Sequence, residues 1–239
     1  VVNVVLLHGF WGAPKDFDSL IAHFPPAKVW APNLFEEGPL DPSHSFVGWT
    51  NNFLRLLKEK FGDDPVHIVG YSQGARLALH AVLRESERFE SAWFLSAHPG
   101  QLEAEERAQR SEWIRSWKKK FSEMELAALA KEWDAQALFS GVSRSKGPKP
   151  EVPRVKLAQA LENWSLLQHQ FNWDDLRSLE TPCTWAFGAL DQKFLAVKES
   201  LQRQNVSGDF WVVERAGHRL LFDAPETLAR KMKERIGHV

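Results

Sequence analysis

The stretch from Val66 to Leu79, Val66-His67-Ile68-Val69-Gly70-Tyr71-Ser72-Gln73-Gly74-Ala75-Arg76-Leu77-Ala78-Leu79, constrains this chain most. It opens as a short β-branched run, turns through Gly70-Tyr71-Ser72-Gln73-Gly74, and continues as an alanine-rich apolar helix. A serine flanked at two residues on each side by glycine, between a strand and a helix, is the strand–turn–helix setting of a nucleophile elbow. Only glycine lets neighbouring backbone pass so close to a strained turn. The hydroxyl is then expected at the sheet edge beside a helix N-terminus, where N–H groups favour developing negative charge.

The remaining pattern fits an alternating α/β chain. Val1–Leu7 reads as a buried strand, Asp16–Phe24 as a short helix and Val29–Ala31 as a second strand. Phe46, Trp49, Phe53, Leu54, Leu57 and Phe61 make one apolar stripe, so Phe46–Phe61 is an amphipathic helix with Gly62 at its C-cap. Ser91–Leu95 is a fourth strand. From about Gly100 to Leu179 no strand pattern is found, and the residues are helical, charged and rich in tryptophan, with a polar linker at Ser143–Pro153. The alternation resumes with a strand at Cys183–Phe187, a helix at Phe194–Leu201, a strand at Phe210–Val213 and a helix opened by Pro225. This predicts a mostly parallel sheet with helices on both faces, built from residues 1–99 and 180–239, and a helical cap inserted at 100–179.

Composition narrows the function. With 44% apolar residues, 239 residues can bury a substantial core. A formal net charge of −1 argues against a nucleic-acid partner held by bulk electrostatics, and Lys118-Lys119-Lys120 reads as a solvated helix face. Cys183 is the sole cysteine, which suits a reducing compartment, and no apolar run is long enough to span a bilayer. The expectation is a soluble, cytoplasmic protein. No metal-ligand spacing, phosphate loop or dinucleotide fingerprint is found, so no cofactor is expected.

A serine hydroxyl needs a histidine to hold its proton, and the histidine needs a carboxylate to fix its tautomer. Asp191 follows the Cys183–Phe187 strand through Gly188, and His218 follows the last strand in Ala216-Gly217-His218. The order Ser72, Asp191, His218 is that of α/β-hydrolases. Asp174, Asp209 and Asp223 are rival carboxylates, and His8 reads as structural. Backbone N–H groups of Phe10 and Gln73 are the expected oxyanion donors. Arg76, one turn along the elbow helix, is a candidate clamp for a substrate carboxylate, with Arg107 and Arg110 offered from the cap.

The chain resembles the α/β-hydrolase superfamily over nearly its whole length. Gly70-Tyr71-Ser72-Gln73-Gly74-Ala75-Arg76, the run from His98-Pro99-Gly100 to Arg110, Lys131-Glu132-Trp133, Asp191-Gln192-Lys193-Phe194 and Arg215-Ala216-Gly217-His218 resemble motifs of one family within it. That family is 2-succinyl-6-hydroxy-2,4-cyclohexadiene-1-carboxylate synthase, or MenH, a lyase of menaquinone biosynthesis. The resemblance implies that Ser72 and His218 remove a proton from a small anionic substrate, with Asp191 orienting His218, and that pyruvate is eliminated. It also implies that the Phe10 and Gln73 N–H groups stabilise the anion. Arg76 and Arg110 would bind carboxylates, and Tyr71 and Trp133 would shape the pocket. Two other readings stay open: a serine hydrolase of small esters or carbon–carbon bonds, favoured by the tryptophan-rich cap and the apolar Leu220–Phe222 stretch, and a binding module on a retained fold.

Overall fold

A computed structural model describes residues 2–24, 27–139 and 149–236. Its strands are β1 (Val2–Leu7), β2 (Ala27–Trp30), β3 (Val66–Tyr71), β4 (Phe89–Leu95), β5 (Cys183–Gly188) and β6 (Asp209–Val213). All neighbours pair in parallel, giving one six-stranded sheet in the order β2-β1-β3-β4-β5-β6. The helices are α1 (Asp18–Ile21), α2 (Phe46–Phe61), α3 (Gln73–Arg84), α4 (Ala104–Glu123), α5 (Leu126–Asp134), α6 (Arg154–Asn163), α7 (Trp173–Arg177), α8 (Gln192–Arg203), α9 (Leu220–Asp223) and α10 (Pro225–Ile236).

The sheet is covered on both faces, as strands made of unbroken apolar runs require. Along β1, Val4 and Leu6 pack with Leu20 of α1 and with Leu228, Met232 and Ile236 of α10, while Val5 and Leu7 pack in the layer holding α2, α3 and α8. That alternation is the period of two of a strand. The middle strand β3 is buried throughout, Val66 to Tyr71, and it delivers the elbow.

Sequence periodicity and structure agree closely where the apolar stripe is long. The α2 helix has the expected bounds, its Ser45 Oγ accepts from Gly48 N at 3.3 Å, and Gly62 ends it at φ 62°. They part where the stripe is short. The helix expected at Asp16–Phe24 is a 3-10 turn over Pro14–Phe17 followed by the single turn of α1, because Pro14 starts the turn early and Ala13 N donates to Asp16 Oδ2 at 3.3 Å. Of the linker expected at Ser143–Pro153, positions 143–148 lie outside the described residues.

Between β4 and β5 the described residues form α4 to α7 and turns, with no strand. Phe121, Leu129, Trp133, Leu157, Leu161 and Trp164 from this segment are buried in the same apolar layer as α2 and α3. Polar ties join it to the sheet side. Gln73 Nε2 donates to Ala160 O at 3.0 Å, Trp164 Nε1 to His44 O at 3.0 Å, and Lys156 pairs with Asp41 at 3.3 Å.

Candidate active site

Ser72 stands between β3 and α3 with φ 52° and ψ −107°, a left-handed conformation unusual for a residue with a Cβ. Its glycine neighbours are required by contact. A Cβ on Gly70 would lie 2.5 Å from Ala75 Cα, and one on Gly74 would lie 2.1 Å from Leu7 O. The turn is pinned by Ser72 N donating to Leu95 O at 2.8 Å.

The loops after β5 and β6 bring the other two residues to it. Ala189 N donates to Val213 O at 3.0 Å and Leu190 N to Ala216 O at 2.9 Å, which straps the loops together. Asp191 caps α8, its Oδ1 accepting from Phe194 N at 3.2 Å. Its other oxygen lies 2.8 Å from His218 Nδ1, and His218 Nε2 lies 3.1 Å from Ser72 Oγ. A carboxylate can only accept, so Nδ1 carries the proton and Nε2 is left to accept from the hydroxyl. Burial lowers the His218 pKa below its ordinary value against the opposing pull of Asp191, so the imidazole is neutral at pH 7.

The rival carboxylates are engaged elsewhere. Asp174 pairs with Arg177, Asp209 with Arg235, and Asp223 accepts from Gly217 N at 2.9 Å. His8 is structural: its Nε2 accepts from Leu34 N at 2.9 Å, so its Nδ1 donates to Gly9 O at 2.9 Å. Cys183 is buried, and burial pushes its thiol pKa up to about 12, far from a reactive thiolate.

Ser72 and His218 open into a cavity of about 850 Å³, mouth included. Phe10, Tyr71, Arg76, Arg110 and Trp133 all line it. Trp133 packs on Phe10 with ring centroids 4.5 Å apart, and Tyr71 is buried, which raises its phenol pKa. Gln73 is the first residue of α3, where an N–H has no carbonyl of its own helix to bond. Arg107 is different. It is exposed, one turn nearer the start of α4 than Arg110, and is not part of the lining. Leu220 and Leu221 also lie away from the cavity, buried in the α1–α10 layer.

Charge distinguishes this cavity. Among the described residues its lining contains Arg76, Arg110, Lys149, Lys193 and Arg219, and no aspartate or glutamate. Arg76 donates to Trp164 O at 2.6 Å, and Arg110 stacks 4.1 Å from the Trp113 ring centroid with its Nε buried and unpartnered. Among the described residues neither has a carboxylate partner. Burial, then Arg110, lowers Arg76 to about 9, and burial lowers Arg110 to about 10, so both stay cationic at neutral pH. His98 beside them falls to about 3 through burial and the charges of Lys193, Arg76 and Arg110.

Lys149, Lys193 and Arg219 are the site residues that sequence reasoning gives no role. Arg219 adjoins His218, so adjacency alone could have flagged it. Lys149 falls in a stretch that reads as linker and carries no signal. Among the described residues no cluster of three metal-ligating side chains occurs, and no helix is long and apolar enough to cross a membrane.

An alpha/beta hydrolase family model matches residues 4–231. A 2-succinyl-6-hydroxy-2,4-cyclohexadiene-1-carboxylate synthase of Klebsiella pneumoniae is 24% identical over 93% of this chain and 88% of its own length. One from Escherichia coli is 31% identical over 63% of this chain and 60% of its own. Among solved structures, MenH from S. aureus superposes with a TM-score of 0.85 at 18% identity, over 99% of this chain and 93% of that one. The carboxylesterase CesB from Bacillus subtilis does so with a TM-score of 0.70 at 16% identity, over 100% and 85%. A family match over nearly the whole chain and a doubly covered parallel sheet lead to one conclusion: the chain belongs to the alpha/beta hydrolase family of enzymes.

Proposed function

We propose that Ser72, His218 and Asp191 are a catalytic triad and that the enzyme is a MenH-like lyase, eliminating pyruvate from a polycarboxylate intermediate of menaquinone biosynthesis. In this reading residues 100–179 are a cap over a core of residues 1–99 and 180–239, and the enzyme works in the cytoplasm. His218, acting through the Ser72 hydroxyl, takes a proton from the substrate ring. The carbon–oxygen bond to the enolpyruvyl group then breaks, its electron pair leaving with the oxygen as a ring diene forms. The released enolate takes up a proton at carbon to become pyruvate, and His218 returns to its neutral form once it gives up its own proton. No water is added, no acyl-enzyme forms, and no cofactor is used. Negative charge develops on the substrate as the proton leaves, and the Phe10 and Gln73 N–H groups stabilise it; one such donor is worth about 10²–10³ in rate. Arg76 and Arg110 hold a substrate carboxylate, and Tyr71 and Trp133 set the pocket shape.

One observation carries this reading: two half-buried guanidiniums, with no carboxylate partner among the described residues, share a cavity with Ser72. An enzyme for neutral esters has no use for them, whereas an anionic substrate offsets their desolvation. The similarity to the synthases of K. pneumoniae and E. coli supports the same substrate class. The test is release of pyruvate from the authentic intermediate, beside a panel of neutral p-nitrophenyl esters. Rapid pyruvate release with slow ester turnover is expected. No pyruvate at high enzyme concentration would sink the proposal.

A serine hydrolase is the second reading. Leu138, Phe139, Leu161 and Leu166 give the cavity an apolar wall, and the 3.1 Å Ser72–His218 contact suits a nucleophile as well as a base. It predicts a burst of p-nitrophenol.

A further inference from the structure

The cavity has a second cationic region, which the reading above leaves unused. Arg219 lines it with its guanidinium 4.3 Å from the Phe139 ring centroid, and Lys149 lines it too. Both reach the same carboxylate oxygen, Arg219 Nη2 at 2.5 Å and Lys149 Nζ at 2.8 Å from Asp134 Oδ1. Burial is unequal across these pairs. The Arg219 and Lys149 side chains are 5% and 7% exposed, while Asp134 is 37% exposed. The cations line the cavity, and the carboxylate they share is the more exposed partner and is not part of the lining. Arg219 donates a single hydrogen bond to Asp134 and keeps further N–H groups of its planar fork for an incoming anion.

Two aromatic rings flank His218. Phe139, which carries the Arg219 guanidinium, lies 5.9 Å from it between ring centroids. Phe194 lies 4.5 Å from it and meets His98 edge-on at 6.3 Å, and His98 lies among the cations Lys193, Arg76 and Arg110, whose charges add to burial in lowering its pKa. The imidazole therefore has Arg219 beyond one ring and the Arg76–Arg110 side beyond the other.

We infer that Arg219 is a specificity-determining residue that binds a second anionic group of the substrate, across His218 from the group held by Arg76 and Arg110, and that Asp134 is the counter-ion it exchanges. This deepens the proposed function and rests on its reading of an anionic substrate. The substrate class becomes a molecule with carboxylates at both ends. Exchange of one carboxylate for another on Arg219 costs little, and joining two anionic groups in one ligand makes the second contact intramolecular.

The test uses straight-chain dicarboxylates from succinate to suberate and the monocarboxylates of equal carbon number. Binding is read by isothermal titration calorimetry, which does not require a reactive serine. In the wild type, the dicarboxylate of matching length should bind at least about tenfold tighter than its monocarboxylate partner. Arg219→Gln should abolish that preference and leave monocarboxylate binding within about twofold, Arg219→Lys should keep part of it, and Asp134→Asn should strengthen dicarboxylate binding because the competing counter-ion is gone. If Arg219 only braces Asp134, Arg219→Gln and Asp134→Asn will move binding in the same direction, and the inference fails. It fails equally if the wild type binds both series alike. Fluorophosphonate labelling of Ser72 runs beside the titrations. Absent labelling with the dicarboxylate preference intact counts against the triad alone; labelling without the preference counts against Arg219 alone.

Discussion

The two sides of the cavity solve opposite problems. Around Ser72 each polar group is answered from within the protein: the hydroxyl by His218, the imidazole by Asp191, and the carboxylate by the N–H that opens α8. Around Arg76 and Arg110 the described residues supply a carbonyl and an indole face but no carboxylate partner. The first arrangement is complete when the chain folds and needs no ligand to stabilise it. The second holds like charges together away from water, which a folded chain tolerates only at a cost in free energy. The difference teaches where to look for each property: in the proposed function, reactivity belongs to the satisfied side and substrate choice to the unsatisfied one.

Substitution on each side should therefore fail differently. The largest effect is expected from Ser72→Ala or His218→Ala, which should cut turnover by about a thousandfold or more for every substrate, with unchanged circular dichroism. A loss under about tenfold would break the comparison, because the hydrogen-bonded chain would then not be the reactive side. Arg76→Ala comes next. It should lower kcat/KM for the polycarboxylate about a hundredfold and leave turnover of neutral esters within about twofold. Equal losses on both substrates would mean that Arg76 serves the elbow, through its bond to Trp164 O, and does not read charge.

How much of this is legible in the chain follows the same division. The reactive side is encoded locally. Gly70 and Gly74 sit at fixed offsets from Ser72, and Asp191 and His218 each follow a strand by a few residues, so parallel topology alone carries them to one edge. The cationic side is assembled from α3, α4, the segment at Lys149, the start of α8 and the loop before α9. Periodicity says which face of a helix is apolar, but not which of two arginines a turn apart reaches over a cavity. Hence Arg110 and Arg107 look alike by periodicity, only the family resemblance picks out Arg110, and Lys149 has no signal at all. The short helix after Trp11 is misjudged for a related reason: one turn holds too few residues for a period to be read.

A smaller effect sharpens the comparison from the stability side. Arg110 keeps a buried, unpartnered Nε and cationic neighbours, so its removal relieves desolvation and repulsion together. Arg110→Met should unfold at higher urea concentration, by about 1 kcal/mol, while it weakens polycarboxylate binding. Lower stability would show that the stack on Trp113 outweighs the charge. No such gain is expected from His218 or Asp191, whose partners would be left buried and unsatisfied.

The last effect lies in pH. His80, lowered to about 3 by burial and Arg76, and His98, lowered to about 3 by burial and three cations, are neutral in the folded protein wherever an unfolded histidine of pKa 6.5 has begun to charge. Between about 6.5 and about 3 the unfolded chain thus binds more protons, so stability should fall steadily as pH drops through that window. His218 is lowered as well, so the acid limb of kcat/KM should lie below 6.5. A bound anion bears on these groups unequally. On Arg76 and Arg110 it cancels the charges that press on His98 and His80, and both should titrate higher in the complex. His218, pressed by Lys193 and Arg219 instead, should move less. Proton NMR titration of the three imidazoles, with and without a monocarboxylate, which leaves Arg219 on Asp134, reads this directly. If the three move together, the anion sits against the reacting imidazole itself, and the division between a reactive side and a charge-reading side is lost.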